Sequence, residues 1–162
     1  MSMLEVKVDG LALDMTTNSP VVILAPINLN KVLPIWIGHS EAWAIAMELS
    51  GIGSKRPMTH DLLKAVIASL SAQLEKVEIT ELKDQTFYAR LLLNVSGTIL
   101  AIDARPSDSI ALALKWGAPI YAEEGLFNLQ EGEQKIDLSN DPESLADRLK
   151  KINPEDFGKY SL

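Results

Sequence analysis

The sequence predicts an α+β fold: a mixed, largely antiparallel sheet packed with about three helices, plus a C-terminal helix. Three observations lead there. Apolar and polar residues alternate with period two in several runs joined by short turns, the pattern of hairpins and meanders. Three other segments open with helix-start chemistry and continue with apolar residues at helical spacing. Asp141-Pro142-Glu143 offers a cap, a proline at the first helical position and an acid in the first turn, so a further helix is expected to about Ile152, ended by Asn153-Pro154.

Each element follows from local chemistry. Leu4, Val6 and Val8 alternate with Glu5, Lys7 and Asp9 as a half-buried strand, and Gly10 marks a bulge or bend. Thr17-Asn18-Ser19-Pro20 is a turn, so Val21–Leu24 returns as the second strand of a hairpin. Val32–Ile37 is a third strand, and Pro34, which cannot donate to a ladder, points to a sheet edge. Ser40 is the expected N-cap of a helix through about Leu49, with Glu41 in its first turn and Gly51 closing it. Thr59 is the expected cap of the next helix, whose Leu62, Leu63, Val66, Ile67 and Leu70 form one apolar face.

Leu74–Leu82, Phe87–Val95 and Thr98–Ala104 alternate again, separated by Lys83-Asp84-Gln85 and Ser96-Gly97. Three strands joined this tightly form an antiparallel meander. Arg105-Pro106-Ser107-Asp108 starts a third helix that Gly117 ends. Its interior, Ile110-Ala111-Leu112-Ala113-Leu114, is apolar nearly all round, which places it at the centre of the molecule. Ala118–Ala122 is a last short strand.

Composition narrows the function. The 162 residues suit one domain, read as residues 1–125, with an acidic extension over 126–162 that carries the last helix. There is no cysteine, which removes thiol nucleophiles, thiolate metal sites and disulfides and fits a reducing, cytoplasmic setting. The first residues lack a basic segment followed by an apolar run, and apolar stretches fall short of the ~18 residues a membrane span needs, so no signal peptide and no membrane partner are expected. The net charge of −7 opposes broad nonspecific nucleic-acid binding. It is unevenly spread: residues 123–162 hold ten acids and five bases, leaving −2 for the rest and room there for a local basic patch.

Two segments echo each other at an offset of 67. Residues 34–51 and 101–118 each read as a strand, a cap, an acid and an alanine-rich helix, with Ser40 matching Ser107 and Glu41 matching Asp108. Two related halves would produce such a match, and so would the same capping rules applied twice.

Four segments carry a family resemblance: LPIWIGHSEAWAIAMELSG (33–51), RPMTHDLL (56–63), DQTFYARL (84–91) and IDARPSDSIALALKWGAPIYAEE (102–124). In order, spacing and wording they resemble the bifunctional nuclease domain family over roughly residues 3–125. The chain departs from that family's pattern at His39-Ser40. The resemblance implies an α+β fold with a largely antiparallel sheet, self-association into a homo-oligomer, and nuclease activity on RNA and DNA.

Phosphodiester cleavage needs an activated water and relief of negative charge on the phosphoryl oxygens, and carboxylate-held hard cations supply both. Asp103 and Asp108 flank Arg105 at a strand end and a helix start. The functional reading makes both acids ligands of a divalent metal (Mg2+ or Mn2+) and Arg105 a phosphate clamp. The structural reading pairs Arg105 with Asp103 and leaves Asp108 to favour the helix N-terminus. His60 is a candidate general base, and Asp61 beside it and Glu41 are further candidate metal ligands, although both acids also suit first helical turns. Lys55, Arg56 and Lys64 lie close in sequence and suit an anionic substrate such as single-stranded nucleic acid. Trp36, Trp43 and Trp116 could stack on bases but sit mostly in apolar contexts. A second reading keeps every one of these groups structural and makes the chain a non-catalytic oligomeric regulatory or scaffold domain. Phosphate-loop, dinucleotide, zinc-protease and esterase motifs are missing from the sequence.

Overall fold

A computed structural model describes residues 2–128; the helix expected to start at Asp141 lies outside the described residues. In chain order the elements are β1 (Met3–Asp14), β2 (Ser19–Pro26), β3 (Leu33–Trp36), α1 (His39–Ser50), α2 (Thr59–Ser69), β4 (Ala72–Lys83), β5 (Thr86–Val95), β6 (Thr98–Ala104), α3 (Pro106–Trp116), β7 (Ile120–Glu123) and the short α4 (Gly125–Asn128). The fold is α+β, with seven strands in one sheet in the order β3-β2-β1-β7-β4-β5-β6. All neighbours are antiparallel except β4 and β7, which run parallel.

The sheet consists of two three-stranded meanders with β7 inserted between them. Each meander leads into a helix: β1-β2-β3 into α1, and β4-β5-β6 into α3. The turn chemistry explains the hairpins. Asn18, Asp84, Gln85 and Ser96 take positive φ, and Gly97 takes φ +89, a conformation in which a side chain is strained. The pairing of β1 with β2 shifts between Val8 and Gly10, so the irregularity expected at Gly10 is present. β3, with Pro34, is an edge strand as its proline indicates.

One face of the sheet carries the core. Val6, Val77, Ile79, Ala89, Leu91, Ile120 and Ala122 are buried there with Ile110, Ala111, Leu112 and Ala113 of α3, as the apolar composition of α3 predicts. The core continues through Leu126 and Phe127 of α4. The opposite face is polar. Cross-strand partners Glu5, Tyr121, Glu78, Arg90 and Asp103 form a row across it, and the buried Glu78 accepts from Arg90 Nε at 3.1 Å and Nη2 at 3.0 Å.

Two expectations are corrected. The N-caps are Gly38, two residues before the Ser40 the sequence suggested, and Met58, one before Thr59. Asp61 explains the second case: its Oδ2 accepts from the Met58 N–H at 2.9 Å, so a capping oxygen comes from inside the helix. The apolar face expected for α2 is not covered by the chain. Only Ile67 is buried, while Leu62, Leu63, Val66 and Leu70 are exposed. Edge strand β6 behaves likewise: Leu100 and Ile102, opposite Leu93 and Leu91 on the core-bearing face, remain exposed.

Candidate functional site

α3 has α1 and α2 as helical neighbours, and a cleft of about 300 Å3 opens among the three helices and the loop from Gly51 to Pro57. Ala44, Trp43, Met47, Ile52 and Met58 give it an apolar wall; Glu41, Glu48, His60, Asp61, Arg105, Asp108 and Lys115 give it a charged one. The volume is at the small end for ligand pockets.

Asp108 is the hub of the outer part. Its Oδ1 is 3.0 Å from His60 Nε2 of α2 and accepts from Arg105 Nη2 at 3.2 Å, while its Oδ2 accepts from Arg105 Nε at 2.9 Å. Arg105 also donates from Nη1 to Glu41 Oε1 of α1 at 3.1 Å. Glu41 curls back over the N-cap, its Oε2 lying where a Cβ on Gly38 would project. Burial opposes ionisation of Asp108, but the hydrogen bonds from Arg105 and His60 outweigh it and hold the carboxyl below the usual range. The hydrogen bond to Asp108, joined by its charge and by Glu41, raises the Arg105 pKa. As a carboxylate Asp108 only accepts, so His60 Nε2 is the donor in this pair and Nδ1 is the ring nitrogen outside it.

The inner part turns on Lys115, in the last turn of α3. Its ammonium donates to Glu48 Oε1 of α1 and to Asp61 Oδ1 of α2. Its burial works against the charge, yet the two carboxylates win and raise its pKa. For Asp61, burial is likewise outweighed by Lys115 and by the Met58 N–H, so its pKa is lowered. Lys64 of α2 donates to the Lys115 carbonyl at 3.0 Å, and its ammonium stands 5.6 Å from the Trp116 ring centroid.

Of the residues singled out from sequence, Asp108, Arg105, His60, Asp61 and Glu41 come together here. Asp103 does not. It is exposed on edge strand β6 opposite Arg90, and strand alternation sets it on the polar face, across the sheet from Asp108. Lys55 and Arg56 follow Ser54, which lines the cleft, in its exposed loop, and Lys64 is engaged with the end of α3. Trp43 is buried with Leu13 and Met47, and Trp36 Nε1 donates to Asp14 Oδ2 at 2.9 Å. Sequence reasoning missed Lys115 and Glu48. The one available signal was the echo at an offset of 67, which places these two at equivalent positions.

The carboxylates as arranged do not fit a divalent ion. Among the described residues no three His, Asp or Glu side chains form a group able to hold one. Oxygens of Glu41, Glu48, Asp61 and Asp108 instead accept from Arg105 and Lys115. No helix among the described residues is long and apolar enough to cross a membrane.

Comparison with known proteins places this arrangement in a family. The bifunctional nuclease domain model matches residues 22–135, which include every residue of the cleft described above. An uncharacterised protein of Mycobacterium tuberculosis is 40% identical over 94% of this chain and 97% of its own length. Bifunctional nuclease 1 of Oryza sativa subsp. japonica and the bifunctional nuclease of Oryza minuta are each 24% identical over 66% of this chain and 33% of their own. On the extent of that match, the chain belongs to the bifunctional nuclease domain family.

Proposed function

We propose that the cleft between α1, α2 and α3 is a nuclease site that hydrolyses phosphodiester bonds of RNA or DNA. The observation that carries the reading is the linked set His60–Asp108–Arg105 at a cleft open to solvent. In hydrolysis a water oxygen attacks phosphorus, the bond from phosphorus to the leaving oxygen breaks, and a proton passes from the water to the leaving oxygen. His60 Nδ1 accepts the water's proton and returns one to the leaving group, while Asp108 fixes the ring. The exposed guanidinium of Arg105 meets the charge that grows on the phosphoryl oxygens. Lys55 and Arg56 on the loop, with Lys64, draw in the backbone of the substrate.

Single-stranded nucleic acid is the proposed substrate, since a cleft of about 300 Å3 suits one nucleotide taken out of a stack. Mg2+ or Mn2+ is the activator first expected, with Asp103, Asp108, Asp61 and Glu41 as its oxygen ligands, and of these the cleft gathers Asp108, Asp61 and Glu41. The internal pairing of those acids favours a role for the side chains without it. The test is cleavage of single-stranded and duplex substrates by purified wild type and His60→Gln, with and without chelator. Loss in His60→Gln with a preference for single strands supports the site; equal cleavage by both proteins refutes it.

A second reading, a non-catalytic oligomeric regulatory or scaffold domain, has one observation in its favour: the acids of the cleft are engaged by internal cations. Self-association belongs to both readings. The exposed apolar residues of β6, an edge strand with a single charge, and those of helix α2 support a homo-oligomer built through that side of the chain. The absence of cysteine supports a cytoplasmic setting.

A further inference from the structure

We infer that Lys115 is the resident cation of the cleft: its ammonium fills the place between Glu48 and Asp61 that a divalent ion would otherwise take, and so ties α1, α2 and α3 together. This inference does not rest on the nuclease reading. Glu48 and Asp61 project from different helices onto the same ammonium. With side chains only 22% and 35% exposed, the two carboxylates would repel each other if nothing positive lay between them. Two facing carboxylates are hard oxygen donors of the kind that Mn2+ and Ca2+ take. Here the chain supplies the positive charge itself, on a side chain 14% exposed.

The ammonium is positioned from two directions. Lys64 donates to the Lys115 carbonyl and fixes the last turn of α3 from α2. On the other side Asp61 has both oxygens committed, Oδ1 to Lys115 and Oδ2 to the N–H that starts α2. A metal bridging Glu48 and Asp61 would have to take an Asp61 oxygen that already accepts from the ammonium or from the cap of α2. The Arg105 end of the cleft repeats the device, one cation between Glu41 and Asp108. The distinction is therefore between a cleft neutralised by lysine and arginine and one neutralised by metal.

The test uses the full-length chain and Mn2+ alone. In the wild type, millimolar Mn2+ leaves the melting temperature unchanged and does not broaden the backbone amide signals of residues 48, 61 and 115. The amide readout separates the cleft from ions collected by the acidic residues beyond Asn128. Lys115→Met melts lower by roughly 5–10 °C, since one partner of a partly buried ion cluster is gone. Mn2+ then restores at least half of that loss and broadens amides 48 and 61. In the triple variant Glu48→Gln, Asp61→Asn, Lys115→Met, Mn2+ restores nothing. Broadening of amides 48 and 61 in the wild type overturns the inference. So does a folded Lys115→Met protein that gains no stability from Mn2+, or a triple variant that gains as much as the single one. If Lys115→Met does not fold, the wild-type amides decide alone: sharp signals support the inference and broadened ones end it.

Discussion

Glu48 and Lys115 stand 67 residues apart, at matching places in two echoing segments, and they pair across the gap between α1 and α3. Glu41 and Asp108, matched in the same way seven positions earlier, share Arg105. The two helices are joined first turn to first turn and last turn to last turn. A double-mutant cycle with Glu48→Gln and Lys115→Met, followed by urea denaturation, gives a favourable coupling of about 1–2 kcal/mol, the size expected for partners in one partly buried network. Additive effects would show that the two side chains do not interact.

Asp14 closes the turn from β1 to β2. Hydrogen bonds from the Thr16 hydroxyl, Trp36 Nε1 and the Thr16 N–H lower its pKa from 3.8 to about 2. Because the folded value lies below the unfolded one, its stabilisation is complete above about pH 4 and disappears as pH falls toward 2. Asp61 and Asp108, also lowered, add to the same acid-side loss. Urea midpoints measured across this range decline toward acid, and the decline is shallower in Asp14→Asn.

Leu100→Glu or Ile102→Glu puts a charge on the exposed apolar edge of β6. Sedimentation velocity is expected to show the wild type as an assembly of at least two chains and either variant shifted toward the single chain, with little change in the folded monomer. A wild type that sediments as one chain removes the homo-oligomer from the account.

Gly117 ends α3 at φ +74, with open space where a Cβ would point. Gly117→Ala therefore costs about 1 kcal/mol through backbone conformation alone, without a clash. Thermal denaturation shows a modest drop, and a loss several times larger would mean that the closing turn of α3 does more than stop the helix.

Local chemistry made much of this fold readable. The turns at Asp84-Gln85 and Ser96-Gly97 fixed the meander, Arg105-Pro106 fixed the start of α3, and unbroken apolarity put α3 in the core. The cleft was half readable, because His60, Asp61, Arg105, Asp108 and Glu41 all lie at helix starts, where acids and caps draw the eye. Lys115 was hidden because a lysine in a last helical turn is already explained by the helix dipole; only packing of three helices gives it two carboxylates. Asp103 looked like a partner of Asp108 because the two are close in sequence. Which face of a strand a residue takes depends on register, and register is a tertiary property. Exposure of the α2 face was unreadable for the same reason: periodicity reveals an apolar stripe but not what covers it.

Asp103 and Asp108 give the most direct test of where the chemistry lies. Single-stranded RNA and DNA are incubated with purified wild type, Asp103→Asn and Asp108→Asn, each confirmed folded by circular dichroism. The account predicts that Asp103→Asn cleaves like the wild type, while Asp108→Asn loses roughly 100-fold or more, the scale of a general-base system whose histidine is no longer oriented. Wild-type cleavage by Asp108→Asn, or loss in Asp103→Asn alone, would contradict it.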